Sequence, residues 1–204
     1  MHPRRPAIYK EKRPRARATR ADIRPGADKK LEKVFAAIGV PAPEPFKPDP
    51  FQLQALAAIQ QSDALVTAPT GAGKTWIAEQ AIARIHNRGG KSWYASPLKA
   101  LTNSKYAEFS SLFGDKHVGI LTGDRKENPD APIIVGTTEI LRNQLYDSMH
   151  QGETLAADLV VLDEAHYLGD PDRGVVWEEV LIYLPPRVKL LLLSATISLS
   201  LIHI

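Results

Sequence analysis

Two stretches carry residue types suited to chemistry on a polyphosphate. The first, Ala64-Leu-Val-Thr-Ala-Pro-Thr-Gly-Ala-Gly-Lys-Thr75, passes from an apolar run through a loop of small residues into a helix opened by Gly73-Lys74-Thr75. That strand–loop–helix context is what a phosphate-binding loop requires. The candidate loop is Ala68, Pro69, Thr70, Gly71, Ala72, Gly73, Lys74 and Thr75, with Ala68 standing where the general pattern has glycine. Its amides and the helix N-terminus would aim partial positive charge at phosphate oxygens. Lys74 would reach the β- and γ-phosphates of ATP, and the Thr75 hydroxyl would sit on Mg²⁺. The second stretch, Leu159-Val-Val-Leu-Asp-Glu-Ala-His166, is a buried strand that delivers two adjacent carboxylates. Asp163 can hold the Mg²⁺ with Thr75, while Glu164 can orient and deprotonate an attacking water. Lys74, Asp163 and Glu164 are therefore the candidate catalytic residues.

The elements that must position these groups alternate. Helical spacing is expected over Leu31–Ile38, Phe51–Gln60, Gly73–His86, Leu98–Phe113, Glu139–Tyr146 and Val175–Leu184. Strands are expected over Ala64–Ala68, Ser92–Ser96, Val118–Leu121, Ile133–Gly136, Leu159–Leu162 and Lys189–Leu193. Most strands are continuous apolar runs, as expected when helices cover both faces of a mostly parallel sheet. The fold class is α/β, doubly wound, and ligands of such sheets bind at the C-terminal ends of the strands. Both chemical stretches place their residues there.

Composition excludes several other classes. Hydrophobic residues make up 44% of the 204 and charged residues 24%, so neither wholesale disorder nor a fibrous repeat fits. No apolar run approaches a membrane span, no secretory leader is visible, and a cytoplasmic protein is the default expectation. There is no cysteine, hence no disulfide framework or thiolate site. His166 has no second ligand at a suitable spacing, so no zinc is assigned. Charge is uneven: residues 1–30 hold eleven Lys/Arg against Glu11, Asp22 and Asp28, a net of +8. The remaining residues carry a net of −5. Residues 1–27 read as a disordered basic tail, either a nucleic-acid-touching arm or a solvated leader. Residues 28–50 read as a helix and a proline-rich link.

The motifs, taken in order, resemble those of superfamily-two DExH-box helicases. Ala68–Thr75 and Asp163-Glu-Ala-His166 are similar to that family's nucleotide-binding motifs. Gln52, in Asp49-Pro-Phe-Gln52, resembles its adenine-sensing glutamine. Ser96-Pro-Leu-Lys-Ala-Leu-Thr-Asn-Ser-Lys-Tyr106, Thr122-Gly-Asp124 and Thr137-Thr-Glu139 resemble its strand-contacting motifs. Ser194-Ala-Thr196 resembles the motif that links hydrolysis to strand movement. Residues 163–179 are most similar to the superkiller-like, exosome-assisting branch of these RNA helicases and its bacterial relatives. The resemblance covers residues 46–198.

The resemblance implies a RecA-like domain over residues 51–198, ATP and Mg²⁺ as cofactors, and a single-stranded or partly duplex nucleic acid as partner, RNA favoured. It implies nucleic-acid contacts at Pro97, Lys99, Thr122, Gly123, Thr137, Thr138 and Arg142. Hydroxyls and exposed amides at helix starts suit backbone phosphates, which position a strand without reading its bases. It further implies that His166 bridges the ATP site and Ser194-Ala-Thr196. Such enzymes need a second RecA-like domain, and residues 199–204 lack the polar helix start expected after that motif. A truncated or read-through end is the corresponding expectation. Tyr167, Trp177 and Tyr183 are expected to be core or interface aromatics. A DNA helicase or translocase, and a non-hydrolysing ATP-regulated nucleic-acid clamp, are the alternative readings.

Overall fold

A computed structural model describes residues 47–195. The expected basic tail, the Leu31–Ile38 helix, Thr196 and the 199–204 ending lie outside the described residues. Five helices and seven strands alternate within them: α1 (Pro50–Gln61), β1 (Ala64–Thr67), α2 (Lys74–His86), β2 (Ser92–Ser96), α3 (Lys99–Phe113), β3 (Val118–Leu121), β4 (Lys126–Glu127), β5 (Ile133–Thr137), α4 (Thr138–His150), β6 (Leu159–Leu162), α5 (Gly174–Tyr183) and β7 (Lys189–Ser194). Short 3₁₀ turns occupy Asp115–His117 and Ala165–Gly169.

The strands form one sheet in the order β1-β7-β6-β2-β5-β3-β4, parallel throughout except for the β3–β4 pair. Alternation of side chains along each strand splits the core in two. Tyr94, Val135, Val161, Leu191 and Leu193 face one cluster, which α1, α2 and α3 cover with Leu56, Ile77, Ile82 and Phe109. Trp93, Ala95, Val160, Leu162 and Leu190 face the other, covered from α4 and α5 by Leu141, Leu145, Trp177 and Val180. Both faces are apolar because both are buried, which explains why the strands show no polar alternation. Trp177 is fully in this core, while Tyr167 and Tyr183 pack against it half-buried. The rings of Tyr167 and Trp177 lie parallel with centroids 6.4 Å apart.

Register aligns the ends that matter. Thr67 pairs with Ser194, Ala95 with Leu162, and Ser96 with Thr137, so the C-terminal ends of β1, β7, β6, β2 and β5 share one edge. The Ala68–Thr75 loop, the Ser96 motif, Thr137 and the Asp163–Glu164 pair open from that edge, and Thr122-Gly-Asp124 follows β3, which pairs with β5.

Two differences from the sequence expectation have physical causes. Strand β4 was not expected, because Lys126 and Glu127 are both charged and exposed. It is an edge strand held by pairing with Ile120 and Leu121, and charge on such an edge discourages further strands from adding. Asn128, at φ 46°, closes this hairpin by donating to the carbonyls of Lys116 and Val118 at 3.1 and 3.2 Å. Helix α4 runs one turn past Tyr146, to His150. Its last turn is Asp147, Ser148, Met149 and His150; Met149 continues the stripe of Leu141 and Leu145 but is exposed, and the helix stops ahead of Gly152 at φ 70°, a left-handed residue that ends helices.

Candidate active site

The loop after β1 is shaped before any ligand arrives. Gly71 and Gly73 sit at φ 84° and 78°, conformations that cost a residue with a Cβ. A Cβ built on Gly71 meets nothing within 4 Å, so the space beside the loop there is open. A Cβ on Gly73 would run into the Gln52 amide. Gln52 is buried and acts as a clasp: its Nε2 donates to the carbonyls of Ala72 and Gly73 at 3.2 and 3.3 Å, and its Oε1 accepts from the Asp49 amide at 2.8 Å. Here the glutamine expected to sense adenine binds the loop itself, and α1 is its platform. The sheet supplies the second restraint. Ser194, fully buried at the end of β7, accepts the Ala68 amide on its backbone carbonyl at 3.1 Å.

Lys74 folds back over this loop, its Nζ 2.6 Å from the Ala68 carbonyl and 3.0 Å from that of Pro69. Both partners are neutral, so the ammonium keeps its whole charge for an incoming phosphate. The loop, its glycines and this lysine fit a nucleotide polyphosphate.

Across the edge, β6 presents Asp163 and Glu164. The Asp163 amide bonds the Ala95 carbonyl at 2.9 Å, continuing the sheet ladder by one residue. Its Oδ1 accepts the Glu164 amide at 2.9 Å, and its Oδ2 accepts a short hydrogen bond from the Tyr94 hydroxyl. Each oxygen retains a lone pair, as a Mg²⁺ ligand must. Tyr94 is wholly buried; burial, then the charge and hydrogen bond of Asp163, push its phenol well above the ordinary tyrosine value. It therefore remains a donor. Sequence reasoning missed Tyr94, since within Ser92–Ser96 it reads as one more core residue.

Glu164 adopts φ 55°, ψ 44°, the left-handed region, without being glycine or asparagine. Such strain is found at sites where the surrounding structure dictates the backbone. The twist turns the second carboxylate away from the first, and its Oε2 lies 3.2 Å from His166 Nδ1. The 3₁₀ turn carrying His166 packs on β7, the strand of Ser194.

Thr75 is joined to α3. Lys105 Nζ lies 3.4 Å from its Oγ1 and 2.6 Å from Glu108 Oε2. Glu79, on α2, hydrogen-bonds Glu108; burial first, then that bond and the charge of Glu108, raise its carboxyl from 4.5 to about 7, with Lys105 acting the other way. Burial works against ionisation of Glu108 too, but hydrogen bonds from Lys105 and Glu79 outweigh it and hold that group below its ordinary value. A folded-state pKa raised above the unfolded value means that the folded chain binds the proton more tightly. The stability Glu79 contributes is complete below about 4.5 and is lost as pH rises through about 7. Glu79→Gln, which stays neutral, is expected to melt with wild type at pH 5 and a few degrees above it at pH 8. Parallel melting curves by circular dichroism at the two pH values check this; a constant gap would refute it.

The expected nucleic-acid residues divide. Pro97, Lys99, Gly123 and Thr137 line one open depression of about 360 Å³, with Glu139 and Ile140 on its far wall. Lys99 Nζ makes an exposed ion pair with Asp124 at 3.1 Å. The Thr122 hydroxyl is spent within its own turn, donating to Asp124 at 2.8 Å and accepting the Arg125 amide at 3.1 Å. Thr138 is buried, and its hydroxyl makes no hydrogen bond among the described residues. Arg142 is outside the depression's lining and pairs instead with Glu179 of α5 at 3.0 Å.

Residues 49–203 match the DEAD/DEAH box helicase family. The chain is 48% identical to antiviral helicase SKI2 of Saccharomyces cerevisiae over 172 residues, 82% of the chain and 13% of that protein. It is 48% identical to Superkiller complex protein 2 of Homo sapiens (74% of the chain, 12% of that protein). To the probable helicase HelY of Mycobacterium leprae it is 46% identical (76% and 17%). It thus spans well under a fifth of the length of each. Among solved structures, the Hef helicase domain of Pyrococcus furiosus aligns with TM-score 0.58 at 25% identity, over 73% of this chain and 33% of that one. A Saccharomyces cerevisiae Dbp5 variant bound to RNA and ADP–BeF3 has the same fold, with TM-score 0.59 at 22% identity (74% and 41%). The chain belongs to the DEAD/DEAH box helicase family, and residues 47–195 form the RecA-like, ATP-binding domain of such a helicase.

Proposed function

We propose that this domain is the first motor domain of an ATP-dependent RNA helicase that couples ATP hydrolysis to unwinding or translocation. The observation that carries the reading is the shared edge. The loop around Lys74, the Asp163–Glu164 pair, Ser194 and the Lys99–Gly123–Thr137 depression all open from the C-terminal ends of adjacent strands. Thr75 and Asp163 would hold Mg²⁺, which supplies neutralisation of phosphate charge when bound. Lys74 would bind the phosphates, and Glu164 would take the proton of the attacking water. The depression would hold the nucleic-acid backbone, with Lys99 exchanging Asp124 for phosphate. RNA is favoured because the relatives include RNA helicases, among them the chloroplastic DExH15 of Arabidopsis thaliana. The cytoplasm is the proposed location.

One RecA-like domain supplies one wall of the ATP cleft, and in the whole protein a second would close it. The charges that such a partner brings to the transition state are worth ~10³–10⁵ in rate in related systems. The 204-residue chain alone is therefore expected to bind Mg·ATP weakly, to turn it over very slowly and to separate no strands. Deleting residues 1–27, which carry most of the basic arm, should abolish most of its salt-sensitive nucleic-acid binding. Turnover and unwinding assays with matched single-stranded RNA and DNA at several salt concentrations test the reading. Multiple-turnover unwinding by the chain alone would overturn the two-domain requirement; equal affinity for both strands would remove the preference for RNA.

A further inference from the structure

Lys105 carries none of the chemistry assigned to the nucleotide site, yet it touches Thr75. Its side chain is only 18% exposed, and its ammonium stands between Glu108 Oε2 at 2.6 Å and Thr75 Oγ1 at 3.4 Å. The two contacts are unequal. The short one is a charge-assisted bond; the long one is a weak bond to a hydroxyl oxygen. That oxygen is the one a Mg²⁺ ion would need, and the ammonium covers part of it.

We propose that Lys105 is a positioning residue for the metal side of the nucleotide site. In the free domain its ammonium holds the Thr75 hydroxyl in place of the metal. When Mg·ATP binds, Lys105 releases that oxygen and withdraws onto Glu108. This rests on the reading of Ala68–Thr75 and Asp163 as a Mg·ATP site.

The geometry supports each part. Only the weaker of the two bonds is given up, so withdrawal leaves Lys105 with its stronger partner. Glu108 lies one turn further along the same helix, so withdrawal requires a rotamer change and no movement of α3. Glu108 also supplies the negative charge that screens the ammonium from a dication, and Glu79 behind it bonds the same carboxylate. Without Glu108, the ammonium would lose its charge-assisted bond and keep only the more distant electrostatic interaction with Glu79.

The consequence is a sign that differs between two variants. Lys105→Met removes both the competitor for the Thr75 oxygen and a like charge near the metal. It should lower the Mg²⁺ concentration for half-maximal binding of a fluorescent ATP analogue by about two- to tenfold, the worth of one such bond. Glu108→Gln strands the ammonium and should raise that half-point by a similar factor. Binding of the same analogue in EDTA should change little in either variant, because neither residue is placed against the phosphates.

The experiment titrates Mg²⁺ into the 204-residue chain and both variants at fixed analogue, with melting temperature measured in parallel. A purely structural Lys105 would lower the melting temperature and weaken binding with and without Mg²⁺ alike, leaving the half-point where it was. An unchanged or raised half-point in Lys105→Met overturns the proposal. Should that variant not fold, an unchanged or lowered half-point in Glu108→Gln does the same, at a half-exposed position that tolerates an isosteric change. Wild-type chain that binds no analogue would refute the nucleotide site and this inference together; binding that ignores Mg²⁺ would refute the metal role alone.

Discussion

Lys74→Ala is expected to weaken ATP binding about ten- to a hundredfold, the loss that follows when a charged hydrogen-bond donor to phosphate is removed. The structure explains why the effect should be large. Among the described residues the ammonium bonds the neutral carbonyls of Ala68 and Pro69 and no carboxylate, so none of these is surrendered when phosphate arrives. The same two bonds predict a small loss of stability in the variant, because the loop loses an internal tie. Gly71→Val should weaken binding by another route. Its backbone at φ 84° opposes a β-branched residue, and the side chain would project into the open space beside the loop. Isothermal titration of nucleotide into wild type and both variants measures this. Unchanged affinity in both would show that the loop is no phosphate site.

Glu164→Gln separates binding from chemistry. In a chain that includes the second motor domain, hydrolysis should fall by about 10²–10⁴ while ATP and nucleic-acid affinities hold, since an amide cannot accept the water's proton. The substitution is nearly isosteric, and an amide oxygen can still meet His166 at the position of Oε2. Asp163→Ala should behave differently. It removes one of the two proposed Mg²⁺ ligands and also leaves the Tyr94 hydroxyl buried without its partner, which costs about 1–3 kcal/mol. Mg²⁺-dependent binding and thermal stability should then fall together, whereas Glu164→Gln should leave both in place. Single-turnover hydrolysis with parallel binding and melting measurements distinguishes the two. Wild-type hydrolysis in Glu164→Gln would remove that residue from the base role.

Much of the site was legible in the amino-acid order because its parts are local. The loop from Ala68 to Thr75 is one continuous segment whose glycines, lysine and threonine act within a few residues of one another. Asp163 and Glu164 are adjacent, and an apolar strand in front of them is enough to place them at a sheet edge. Strand and helix positions followed from the same short-range patterning, and failed at the two charged residues of β4 and at the last turn of α4, whose one apolar residue, Met149, is exposed.

What tertiary structure decided is everything that spans the sheet. Gln52 lies twenty residues before the loop carbonyls it clasps, and nothing in its own helix says that its amide will be buried against them. Tyr94 reaches Asp163 across 69 positions because β2 and β6 are neighbours in the sheet, although three other strands lie between them in sequence. Lys105 meets Thr75 because α3 lies against the same face of the sheet as α2. Arg142 pairs with Glu179 because α4 and α5 pack side by side. Periodicity reports which face of an element is buried, and motif spacing reports which residues act within one turn or loop. Neither reports strand order, and strand order determines which distant side chains share an edge.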